Sequence, residues 1–135
     1  MSWTVLFSDE VRDWYVALTP EGKAVTQRVI SRLEDQGYRL GMPLSKPLGE
    51  GLHELRFTCE GVARRITYVL DPEEQAVTLT TFRKQRDNER AQVLRARRAQ
   101  AAHQADRKAK AAQEAPTKNT RATSATQANR RGKKR

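Results

Sequence analysis

After Leu94 the chain contains no further valine, leucine, isoleucine, methionine or aromatic residue, and this bounds the folding unit more tightly than any other feature. Residues 91–135 carry 13 Lys+Arg against 2 Asp+Glu and are rich in alanine, so they cannot offset the entropy of folding with a core of their own. Residues 1–90 carry 13 Lys+Arg against 14 Asp+Glu. The formal net charge of +10 is therefore −1 from the first part and +11 from the second. This asymmetry predicts a folded domain over 1–90, a basic C-terminal helix over 91–113 and a disordered basic tail over 114–135.

One cysteine, Cys59, excludes an internal disulfide, and with only His53 and His103 beside it no zinc-type ligand cluster is expected. No metal and no cofactor is called for. The chain has no run of 18 apolar residues and its first residues lack the order of a secretory signal, so the expectation is a cytoplasmic protein without membrane contact. The common nucleotide-binding and hydrolase strings are absent.

Within the domain, Trp3 to Phe7 reads as a short strand. Ser8 or Asp9 can cap a helix carrying Val11, Trp14, Tyr15 and Leu18. Thr19-Pro20 starts a second amphipathic helix through Val25, Val29, Ile30 and Leu33, which Gly37 can end. Glycines and prolines over 38–51 predict a loop pinned by Leu40, Leu44 and Leu48. Three strands follow, over 52–57, 62–70 and 76–82, joined by turns. The fold class is α+β, an N-terminal strand and αα-hairpin packed on a small antiparallel sheet (β-α-α-β-β-β), followed by the basic helix. Alternation places Leu55, Phe57, Ile66, Tyr68, Leu70, Val77 and Leu79 toward the hairpin. It leaves Arg56, Arg65, Thr67, Thr80 and, if the strand runs on, Lys84 on the other face.

The order of these elements carries a resemblance. Gly51-Leu52-His53-Glu54-Leu55-Arg56, then Arg65-Ile66-Thr67-Tyr68, then Phe82-Arg83-Lys84, with Leu40 to Leu48 preceding them, resemble the HigB/RelE-type toxins of toxin–antitoxin pairs, specifically the phage Gp49-like branch. The likeness covers about residues 3–100. It departs at 85–90, where Gln85-Arg86-Asp87-Asn88-Glu89 follows the Phe-Arg-Lys segment.

The resemblance implies a ribosome-dependent endoribonuclease that cleaves mRNA through its own 2′-hydroxyl, without a metal. It implies a cognate antitoxin of helix-turn-helix type, with mRNA and the ribosome as further partners. Such chemistry needs a base, positive charge on the phosphorane and an acid. Arg56 and Arg65 suit the phosphate through their planar forks. Lys84 suits the base if neighbouring arginines disfavour its protonated form. Phe82, Arg83, Arg86 and Tyr68 are secondary candidates, Phe82 as a base-stacking ring and Arg86 in reserve for the acid, although alternation turns Tyr68 to the core. His53 falls on the opposite strand face and reads as structural. Arg56 and Arg65 can equally pair with Glu54 as a solvated charge ladder.

Arg90, Arg95, Arg97, Arg98, Arg107, Lys108 and Lys110 are expected to bind RNA or the ribosome through phosphates. Two other classes share the scaffold: a ParE-like toxin that binds gyrase, and an inactive relative that binds RNA or the ribosome. Detection of RNA cleavage separates the first reading from both.

Overall fold

The computed structural model describes residues 2–123, with side chains to residue 113. The elements run β1 (Thr4–Leu6), α1 (Asp9–Val16), α2 (Pro20–Gln36), a single 3₁₀ turn (Gly37–Arg39), β2 (Ser45–Gly49), β3 (Leu52–Cys59), β4 (Val62–Asp71), β5 (Gln75–Arg83) and α3 (Glu89–Thr123).

The helix starts follow the expected chemistry. Ser8 Oγ accepts from the Val11 N–H at 3.2 Å, and Thr19 Oγ1 accepts from the Gly22 N–H at 3.0 Å, with Pro20 in the first turn of α2. Gly37 ends α2 at φ 54°, and a Cβ there would collide with the Trp3 indole, so both conformation and space require glycine.

The sheet has five strands in the order β1-β5-β4-β3-β2. β1 pairs parallel with β5, and the other pairs are antiparallel. The region expected to be a loop thus holds a strand, β2, with Pro47 in it. β2 lies at the sheet edge and its register shifts between Pro47 and Gly49, the two settings in which a strand tolerates proline.

Two cores sandwich the sheet. The helical hairpin buries Val11, Val29, Ile30 and Leu33 against Leu55, Ile66, Tyr68 and Ala76. On the opposite face Leu52, Val69 and Leu79 pack under Ala96 of α3, with Leu48, Val77 and Ala99 at the margin. Val77 and Leu79 therefore face away from the hairpin, contrary to the alternation reading. A register shift between Ile66 and Tyr68 in the β4–β5 pairing breaks the strict period of two.

The compact unit extends to Gln100, ten residues past the expected limit at Arg90, because Ala96, Ala99 and Gln100 are packed on the second face. Arg97 Nη2 and Nη1 donate to the Leu48 and Gly49 carbonyls at 2.6 and 2.8 Å, and Gln100 Nε2 donates to the Glu50 carbonyl at 2.8 Å. From Ala101 the chain forms a second unit, whose described part is the continuation of α3. That helix passes Pro116, where the sequence suggests an end near Gln113. Ala111, Ala112, Gln113 and Ala115 on the N-terminal side of the proline are strong helix formers. The remainder of the expected tail, 124–135, lies outside the described residues.

Candidate functional site

Antiparallel register sets Arg56 of β3 directly opposite Arg65 of β4, and Arg65 directly opposite Phe82 of β5. The three side chains form one row across the sheet face that carries the second core. Two residues back along β3, Glu54 stands opposite Thr67, whose hydroxyl is 2.6 Å from that of Thr80. The Lys84 N–H donates to the Ala63 carbonyl at 2.8 Å, which carries the β5 direction one step past Arg83. Arg56, Arg65 and Lys84 thus share the predicted face.

Charge compensation is denser than the sequence suggested. Glu54 Oε1 lies 3.7 Å from Arg65 Nε and 3.8 Å from Arg56 Nε, and Lys84 Nζ lies 3.4 Å from Glu89 Oε1. Three cations against two carboxylates leave one net positive charge. The contact with Glu54 is that of the expected ladder, but Glu54 is buried, so the ladder is not a solvated one. Desolvation raises its carboxyl above the ordinary glutamate range; Arg65 opposes the shift, Glu89 adds to it, and Arg56 and Lys46 oppose it. Burial and the neighbouring Arg56 hold Arg65 below the usual arginine value, with Glu54 and Glu89 acting the other way.

Exposure divides the roles. The side chains of Arg56 and Lys84 are 27% and 29% exposed, whereas that of Arg65 is 11% exposed. An anion docking here meets Arg56 and Lys84 directly and Arg65 from behind. Among the described residues no group of three or more His, Cys, Asp and Glu could hold a metal ion.

Residues 13–110 match the model of the family described as phage-derived protein Gp49-like. The chain belongs to this Gp49-like family. Among solved structures it is similar to an arginine-to-alanine double mutant of the E. coli toxin RelE in the free state, at 9% identity and a TM-score of 0.50 over 70% of this chain and 92% of that one. The Gp49-like chain therefore has a RelE-like fold. It also matches a chain of the toxin–antitoxin complex RelBE2 from Mycobacterium tuberculosis, at 25% identity and a TM-score of 0.47 over 62% of this chain and all of that one. No curated protein matches it. No described helix is long and apolar enough to cross a membrane.

The other sequence candidates scatter. Phe82 is buried beside Arg65, so its ring is not presented for base stacking. Tyr68 is buried on the hairpin side, as alternation required, with its hydroxyl 2.6 Å from Ser45 Oγ and its ring stacked on His53. Arg83 is exposed at the end of β5, on the side opposite Lys84. Arg86 is exposed in the turn before α3, a segment that Asn88 ties down by accepting from the Gln85 N–H and donating to the Arg83 carbonyl.

Of the helical cations, Arg95 is held by Glu10 at 2.6 Å and by the Thr81 carbonyl, and Arg97 by the β2–β3 turn. These two guanidiniums fasten α3 to the domain, whereas the sequence assigned them to RNA. Arg90 and Arg98 are exposed. Arg107, Lys108 and Lys110 lie on α3 in the second unit. Glu89 escapes sequence reasoning as a site carboxylate because it reads as an ordinary acidic residue in a helix's first turn, and only the fold brings it to Lys84.

Proposed function

We propose that this Gp49-like chain is the toxin of a toxin–antitoxin pair, a ribosome-dependent endoribonuclease that cuts mRNA without a metal. The observation that carries the reading is the Arg56–Arg65 register pair with the Lys84–Glu89 ion pair beside it. The partners are a cognate antitoxin, of helix-turn-helix type, and the mRNA on the ribosome.

In this reading Arg56 grips the scissile phosphate and Arg65 adds charge from beneath as the phosphorane forms. The sequence makes Lys84 the base on account of arginine neighbours, yet the group beside its ammonium is the Glu89 carboxylate. The pair divides proton transfer naturally. Glu89 accepts the 2′-hydroxyl proton as that oxygen attacks phosphorus. Lys84 gives a proton to the 5′-oxygen as its bond to phosphorus breaks, leaving a 2′,3′-cyclic phosphate and a 5′-hydroxyl.

The test is inducible expression of the wild type, Arg65→Ala and Lys84→Ala in a bacterial host, with mapping of new RNA 5′ ends. Growth arrest and in-frame cleavage by the wild type alone are expected. Growth arrest without new ends would replace the nuclease with a binding toxin, and no effect from soluble protein would remove the toxin reading.

A further inference from the structure

The hairpin side of the sheet carries a second arginine pair that the cleavage chemistry above leaves unused. Arg64 of β4 stands directly opposite Arg83 of β5, one residue along from the Arg65–Phe82 pair and on the reverse face. Like charges directly opposite on neighbouring strands repel, so such a pair calls for compensation. Neither guanidinium forms an ion pair within 4 Å among the described residues. Glu60 acts on Arg64 only at longer range, and its carboxylate is engaged by the Thr19 N–H and hydroxyl.

Arg64 is nevertheless held in a fixed pose. Its guanidinium carbon sits 5.0 Å from the centre of the Trp14 ring, and Nη1 is 3.5 Å from Thr81 Oγ1. Its Nε is buried and has no hydrogen-bond partner among the described residues. A guanidinium already set by stacking loses little freedom on taking an anion at its outer nitrogens. Arg83 is exposed beside it.

We propose that Arg64 and Arg83 form a second phosphodiester site, which holds an RNA backbone phosphate flanking the cut. The placement supports RNA in particular. Arg64 and Arg65 are successive on β4, and Arg83 and Lys84 are successive at the end of β5, so their side chains emerge on both faces of one sheet end. A single strand bent over that end meets cations on each side, in a domain whose first 90 residues carry no net positive charge. The site rests on the proposed nuclease reading and extends it to the path of the substrate.

The experiment measures binding of a single-stranded 2′-O-methyl oligoribonucleotide, which cannot be cut, to the full chain over a range of salt. Arg83→Gln is exposed and spares the packing on Trp14, Arg64→Gln removes the stacked member, and Arg39→Gln, in the 3₁₀ turn after α2, serves as an exposed control outside the sheet. Arg83→Gln is expected to weaken binding about tenfold at low salt and to lower the salt slope by about 0.7, the share of one single-strand phosphate, with Arg39→Gln near wild type. Equal losses in Arg83→Gln and Arg39→Gln, or no loss in either, would overturn the site. So would variants that keep RNA affinity and lose only binding to a protein partner. If the slope falls as expected while the wild type cuts no RNA in the expression test, the phosphate site stands and the nuclease reading fails. Cutting with an unchanged slope keeps the nuclease and removes the phosphate site.

Discussion

Glu54 Oε1 lies 3.7 Å from Arg65 Nε while its carboxyl is almost wholly removed from water. Burial raises the carboxyl against the pull of Arg65. The sign of the linkage follows: the folded state holds this proton more tightly, so Glu54 lowers stability as pH rises from the unfolded value of about 4.5 through the folded one. Glu54→Gln, which resembles the protonated acid, removes this titration, so its thermal midpoint is expected to change less between pH 4 and pH 7 than that of the wild type. It should also let Arg56 and Arg65 drift, lowering RNA cleavage by up to about 10²-fold. Melting curves and single-turnover cleavage check both. A lower midpoint with full activity would mean that Glu54 serves only the fold.

His53 and Tyr68 stack with centroids 5.2 Å apart on the hairpin side, and burial lowers the imidazole below its ordinary 6.5. A depressed folded value gives stability that is complete above 6.5 and lost as pH falls toward the folded value. His53→Phe keeps the stack and removes the titration. Urea midpoints measured from pH 7.5 to 5 should fall less steeply in the variant than in the wild type, with RNA cleavage at pH 7 retained because His53 lies across the sheet from Arg56. Parallel slopes would place the acid sensitivity elsewhere.

These predictions mix positions that the sequence reveals with others that it conceals. Apolar spacing and the caps at Ser8 and Thr19 suffice for the helical hairpin, since both depend on local geometry. Alternation also suffices for Arg56 and Arg65, which sit where β3 and β4 keep an unbroken register. It fails at Leu79, because one bulge reverses the facing of the residues beyond it. β2 is hidden by Pro47, which argues against a strand everywhere except at an edge. Arg95 and Arg97 look like members of a basic stripe until Glu10 and the β2–β3 carbonyls are brought to them by contacts between residues far apart in sequence. Glu89 is hidden for a different reason: the irregular turn over 84–88 that brings it to Lys84 has no period to read.

Glu60, in the β3–β4 turn, caps α2 from another element by accepting from the Thr19 N–H at 2.7 Å and hydroxyl at 2.8 Å. Those two bonds lower its carboxyl below 4.5, so its support is full above that value and is lost as pH falls through the folded one. Thr19→Ala should cost about 1 kcal/mol as the loss of an N-cap. Glu60→Ala should also destabilise, and the double variant should lose less than the two separate losses combined, since both act through one cap. Chemical denaturation of the four proteins at pH 7 measures the coupling; strict additivity would mean that the two residues act independently.

Arg97 and Arg98 are adjacent on α3 and separate the fastening of that helix from any nucleic-acid role. Arg97 donates to the Leu48 and Gly49 carbonyls, whereas Arg98 is exposed. Charge-assisted bonds to carbonyls, discounted for partial exposure, put the cost of Arg97→Ala at about 1–2 kcal/mol. For a unit of this size that is a fall of roughly 4–15 °C in melting temperature. Backbone amides at the β2–β3 turn should lose hydrogen-exchange protection in the same variant. Arg98→Ala should stay within about 0.5 kcal/mol of wild type and lower the salt slope of RNA binding by about 0.7. If Arg97→Ala instead left stability intact and lowered the salt slope, its bonds to β2 would be incidental and the sequence's assignment of Arg97 to RNA would be the right one.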